Sequence, residues 1–108
     1  MENNEQKEIV IDFSVEGKHL NESFIGLYAF GVKQILKYVF GELAIPVTVK
    51  GSASDVKKFT NTISREKKYI ESIKKHGLDN PKTFKNKSLL KTAISKFERA
   101  TGLKWPVK

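Results

Sequence analysis

The residue types that most often carry chemistry are sparse in this chain. Cysteine is absent, which removes thiolate nucleophiles, thiolate metal ligands and disulfides. The two histidines, His19 and His76, lie far apart, and His76 falls at the end of a helical pattern, where the helix dipole favours an imidazolium. Aspartate and glutamate are scattered, with no close pair in a polar motif to act as general acid and base. No serine sits in a nucleophile-elbow pattern. Gly51-Ser52, between a strand pattern and a helix pattern, would aim backbone N–H groups at an anion. It lacks the further glycine and the Gly-Lys-Ser/Thr of a nucleotide loop, so ordinary capping is the reading it supports. No catalytic residue, metal site or cofactor is expected, and the chain reads as a binder rather than an enzyme.

What the chain has in quantity is positive charge, unevenly placed. Of the net +8, residues 1–49 contribute four lysines against seven carboxylates, whereas residues 50–108 contribute sixteen Lys or Arg against five. A field of that kind attracts nucleic acid, acidic protein or an anionic membrane surface. The candidate contact residues are Lys67, Lys68, Lys74, Lys75, Lys82, Lys85, Lys87, Lys91, Arg99 and Lys104, with Lys96 among them and Tyr69, Phe84 and Trp105 interleaved. Phosphate-neutralising lysines with stacking aromatics are the composition of a sequence-tolerant nucleic-acid surface. The bland alternative is a solvated lysine-rich face, and the aromatics are equally candidates for core anchors.

The elements that must position these residues follow from periodicity. Met1 to Lys7 is polar and acidic, unlike a secretory signal, and reads as a flexible tail of an intracellular protein. Ile9, Ile11, Phe13 and Val15 alternate with polar or outward positions as a strand that Gly17 ends. Asn21 is placed to cap a helix running to Phe40, with Gly41 closing it, and Ile45, Val47 and Val49 form a second strand with Pro46 at its start or edge. After Ser52 or Ser54 as cap, a helix to His76 lines up Val56, Phe59, Ile63, Ile70 and Ile73, and Gly77-Leu78 suits a left-handed cap with a hydrophobic contact. Asp79-Asn80-Pro81 reads as a turn. Ser88 is then expected to cap a third helix with Leu89, Leu90, Ala93, Ile94, Phe97 and Ala100 buried and Gly102 at its end. Phe59, Ile63, Ile70, Leu90, Ile94 and Phe97 are the predicted core. The tail around Trp105 is either a short edge strand or an extended segment pinned by its indole.

This order, β-α-β-α-α with that optional C-terminal strand, predicts a small α/β or α+β domain over residues 8–108. Its acidic and apolar part is 8–49 and its basic helical part is 50–108. Two strands joined through a helix default to parallel pairing. The helix from Phe24 to Phe40 is apolar on nearly every side apart from Lys33 and Lys37. Its uncharged stretch, Ser23 to Val32, is ten residues, short of the roughly 20 that span a bilayer. It is therefore expected to dock into a homo-oligomer or larger assembly through Phe24, Leu27, Tyr28, Val32, Leu36 and Phe40. Membrane-surface binding is the second reading of that helix.

The stretch from Val49 to Pro106 resembles small basic proteins of large tailed bacteriophages. The residues that carry the likeness are Gly51-Ser52, Arg65-Glu66-Lys67-Lys68-Tyr69, Lys75-His76-Gly77-Leu78, Asp79-Asn80-Pro81, Phe97-Glu98-Arg99-Ala100-Thr101-Gly102 and Lys104-Trp105-Pro106. The resemblance covers about half the chain and brings no established activity. It implies a phage origin, a location in the host cytoplasm or the virion, and a role in the particle or its assembly. The combined expectation is a non-enzymatic protein that contacts nucleic acid and docks through its apolar helix. The alternatives are a structural virion or head-assembly component that binds acidic protein, and a host-directed inhibitor.

Overall fold

A computed structural model describes residues 8–107 and gives an α+β chain with the order β-α-β-α-α. The elements are β1 (Ile9–Asp12), α1 (Glu22–Val39), β2 (Val47–Lys50), α2 (Ala53–His76) and α3 (Pro81–Thr101), with a short 3-10 turn at Lys18–Leu20. They fall into two compact units, residues 1–52 and residues 53–108. The flexible tail expected at residues 1–7 lies outside the described residues.

In the first unit β1 and β2 pair in parallel, with Ile9 opposite Val47 and Ile11 opposite Val49. Pro46, which has no N–H to give, sits just before β2 and uses its carbonyl to accept from Ile9 N at 2.9 Å. Phe13 N donates to Lys50 O at 2.8 Å and carries the pairing one residue past β1. The alternation read from Ile9 to Val15 therefore holds through Phe13. Val15 is exposed. Asn21 caps α1 as its position predicts, its side-chain oxygen accepting from Phe24 N at 3.0 Å. The helix comes so close to the sheet at Gly31 that a Cβ there would lie 2.7 Å from Ile11 Cδ1. Only glycine permits that approach without displacing a fully buried side chain.

This packing corrects the expected docking surface of α1. Tyr28 and Val32 are 2% and 0% exposed, so they are core rather than interface. The Tyr28 ring meets Phe13 edge-on and stacks on Phe24, both with centroids 6.3 Å apart. Phe24, Leu36 and Phe40 are half-buried, and of the six named positions Leu27 alone is exposed. The apolar residues turned outward on α1 are Ile25, Leu27, Phe30 and Tyr38. The sheet is a narrow base, and one helix of this composition cannot place all its apolar positions on it.

The second unit is a helical hairpin. Phe59, Ile63, Leu90, Ala93 and Phe97 are buried as the stripe predicts, while Ile70 and Ile94 are half-buried at its margins and Ala100 is exposed. Ser52 immediately precedes α2, whereas Ser54 lies inside the helix and its hydroxyl accepts from Lys58 Nζ at 2.6 Å. Gly77 adopts φ 82°, the left-handed conformation that ends α2, and its N–H donates to Ile73 O. Leu78, expected to make the hydrophobic contact that accompanies such a cap, is 62% exposed.

The start of α3 is the largest departure from expectation. Ser88 is not a cap but an exposed mid-helix residue, because α3 begins at Pro81. Asn80 is the cap, its side-chain oxygen accepting from Lys82 N at 2.8 Å, and Pro81 occupies the first turn, where a missing N–H costs nothing. The C-terminal tail after Gly102 forms no strand. It is the extended segment pinned by Trp105.

Candidate functional site

The tail is held down by a polar clasp. Trp105 is buried, and its ring packs on Phe97 and Phe59 with centroids at 5.4 Å and 6.0 Å. Its indole Nε1–H donates to Glu66 Oε1 at 2.9 Å, and its backbone N–H donates to Glu98 Oε2 at 2.8 Å. Thr101 adds a turn, its hydroxyl donating to Phe97 O and accepting from Leu103 N. Glu66 is only 4% exposed. A buried carboxyl needs a donor, and the indole supplies it.

This clasp changes the charge of the surface. Residues 53–108 hold fifteen Lys or Arg and five Asp or Glu. Two of those five accept a hydrogen bond from Trp105: Glu66, which is buried, and Glu98, which is half-buried. Burial of Glu66 leaves the outer surface more one-signed than composition alone indicates.

Lys68, Lys74, Lys75, Lys82, Lys85, Lys87, Lys91, Lys96, Arg99 and Lys104 are exposed, and Lys67 is half-buried. Buried residues of α2 and α3 take the facing stripes, so the remaining positions hold the lysines by simple exclusion. On α2, Lys68 and Lys75 lie two turns apart on one face, with Glu71 between them. The guanidinium of Arg99 reaches back one turn to Ser95 Oγ at 3.3 Å.

A shallow groove of about 210 Å³ runs along this unit, lined by Lys68, Glu71, Ser72, Lys75, His76 and Asn86. Within it Asn86 Nδ2 donates to Ser72 Oγ at 2.5 Å, and beside it Thr83 Oγ1 donates to Gly77 O at 2.7 Å and Ser72 O at 3.3 Å. These bonds tie the start of α3 to the end of α2 and satisfy two buried hydroxyls, Ser72 and Thr83. The result is an edge that carries Lys68 and Lys75 with one carboxylate, Glu71, and with Ser72 and His76 beside them.

The aromatic part of the expected surface is corrected. Trp105 is core, Tyr69 is half-buried, and Phe84, at 56% exposure, is the one of the three open to solvent. Sequence reasoning also missed the role of Glu66. Its signal was positional, since it lies three residues after Ile63 on the apolar stripe of α2, where a carboxyl has to find a buried partner. Among the described residues no group of three or more His, Cys, Asp or Glu is placed to hold a metal ion, and no helix is long and apolar enough to cross a membrane. The chain matches no protein-family model, no curated protein and no solved structure.

Proposed function

We propose that this chain is a non-enzymatic binding protein that engages nucleic acid through the basic outer surface of α2 and α3. The observation that carries the reading is the separation of charge within the second unit, with cations outside and two of five carboxyls turned to the Trp105 clasp. Lysines spread over two rigid helices neutralise phosphates at many positions without reading bases, which is the basis of affinity that is strong, sequence-tolerant and salt-dependent. Titration of labelled DNA and RNA tests it. Affinity is expected to fall linearly on a log–log plot as salt rises from about 50 to 200 mM. Replacing Lys67, Lys68, Lys74 and Lys75 by Gln should weaken binding alike for all sequences and reduce the salt slope by roughly one for each phosphate no longer neutralised. No binding at about 50 mM salt sinks the reading. Polyglutamate competing as well as nucleic acid would move the function to acidic protein surfaces.

A second reading has its own support in α1. Exposed Ile25, Leu27, Phe30 and Tyr38 on one short helix favour docking into an oligomer or larger assembly. This accords with the role in a phage particle, in virion or host cytoplasm, that the resemblance of the C-terminal half implies. Sedimentation of wild type against Leu27→Lys and Phe30→Lys decides it: wild type should sediment as an assembly and the variants as folded monomers. A wild-type monomer at high concentration removes self-association from the account.

A further inference from the structure

Phe84 lies apart from the aromatic core, on α3 among the exposed Lys82, Lys85, Lys87 and Lys91. Phe59, Phe97 and Trp105 hold one another at centroid distances of 5.4 to 6.0 Å, whereas Phe84 is more than half exposed. Lys87 and Lys91 follow it at spacings of three and seven, so the three side chains share one stripe of α3, and both lysines are exposed. Along the axis the Cα atoms of the two lysines stand about 4.5 Å and 10.5 Å beyond that of Phe84. The first turn of α3, which leads into this stripe, is capped by Asn80 and tied through Thr83 to Gly77 and Ser72.

From this placement we propose that the second unit prefers single-stranded nucleic acid, with an unpaired base stacked on Phe84 and the neighbouring phosphates on Lys87 and Lys91. The inference rests on the nucleic-acid reading above and adds the substrate class to it. In a duplex both faces of each base are covered by neighbours, so an exposed phenyl ring has nothing to stack on. An unpaired base presents a free π-face to the ring, and the energy is indifferent to which base it is. The lysines serve either substrate. The ring serves one.

Anisotropy titrations of the full chain with a labelled oligothymidylate and a labelled duplex of equal length test the proposal. Wild type should bind the single strand more tightly. Phe84→Ala should weaken single-strand binding on the order of 5- to 150-fold and leave duplex binding within about twofold, while Phe84→Trp should keep the preference. Circular dichroism should show both variants folded, since Phe84 is outside the core. Equal losses for both substrates, or none for either, overturn the proposal while the nucleic-acid reading stands. Wild type binding neither substrate overturns both.

Discussion

In the first unit α1 covers a two-stranded sheet with Tyr28, Gly31 and Val32 and leaves Ile25, Leu27 and Phe30 exposed. In the second, two amphipathic helices bury one stripe each, and their outer faces are lysine. The buried polar groups differ as well. The first unit has Gln34, whose side-chain oxygen accepts from Ile45 N at 3.0 Å and fixes the chain entering β2. The second has Thr62, Glu66, Ser72, Thr83 and Thr101, each bonded to a helix carbonyl, a neighbouring side chain or the tail. Satisfied polar groups specify one register where apolar contacts alone would tolerate sliding. The basic unit ties its two helices and tail together with buried polar bonds, while the apolar unit leaves apolar side chains of α1 exposed.

The largest expected effect tests the core of the basic unit. Phe97 is fully buried between Phe59 and Trp105, so Phe97→Ala should cost about 3 to 5 kcal/mol in denaturant unfolding. The single tryptophan, Trp105, reports this unit directly by fluorescence. A loss below about 1 kcal/mol would show the hairpin to be loosely packed and erase the contrast with the first unit.

The clasp is tested next. Trp105→Phe keeps a ring but removes the donor to Glu66, leaving a buried carboxyl without its bond, and should cost about 1 to 3 kcal/mol by circular dichroism. A cost indistinguishable from zero would mean that the polar clasp does not set the second unit apart.

A smaller effect sharpens where α3 begins. Asn80→Ala should cost about 1 kcal/mol, because it deletes the cap at Lys82 N. Ser88→Ala, at an exposed mid-helix position, should stay within about 0.5 kcal/mol. The reverse order would restore Ser88 as the start of the helix.

The smallest effect belongs to the first unit and is pH-dependent. Asp12 accepts from Ser14 Oγ at 2.6 Å and Ser14 N at 2.9 Å, which together with the nearby Lys50 hold its carboxyl below the ordinary value. A folded value below the unfolded one means that the unfolded chain takes the proton first as pH falls. The stabilisation is therefore present above the unfolded value and fades as pH drops through the folded one. Ser14→Ala should raise the Asp12 midpoint in an NMR titration and flatten the acid end of the stability curve. An unchanged midpoint would show the bonds to be absent in solution.

Much of this architecture was legible in residue order. Asn21 before an apolar run, Gly41 and Gly77 after one, alternation at Ile9 to Phe13, and the three-and-four spacing of Phe59 and Ile63 and of Leu90, Ala93 and Phe97 are local signals, and local geometry answers them. The start of α3 carried a local signal, Asn80 followed by Pro81, but the apolar period that would have extended the helix back to it is missing, because its inward positions there are Thr83 and Asn86. A polar residue on a buried face leaves no apolar period, and its hydrogen bonds to Ser72 and Gly77 cannot be seen until the helices meet. Asn80-Pro81 accordingly read as a turn instead of a cap followed by the first helical residue.

By itself the sequence determined the element order, the parallel pairing of the strands, the absence of cysteine chemistry and the concentration of positive charge after residue 50. Only tertiary structure decided which groups that charge acts beside. It placed Glu66 against Trp105 across 39 residues, took Tyr28 and Val32 out of the exposed face of α1, and left Phe84 outside. The physical reason is that secondary structure depends on neighbours three or four residues away, whereas burial and polar pairing depend on residues that folding alone brings together.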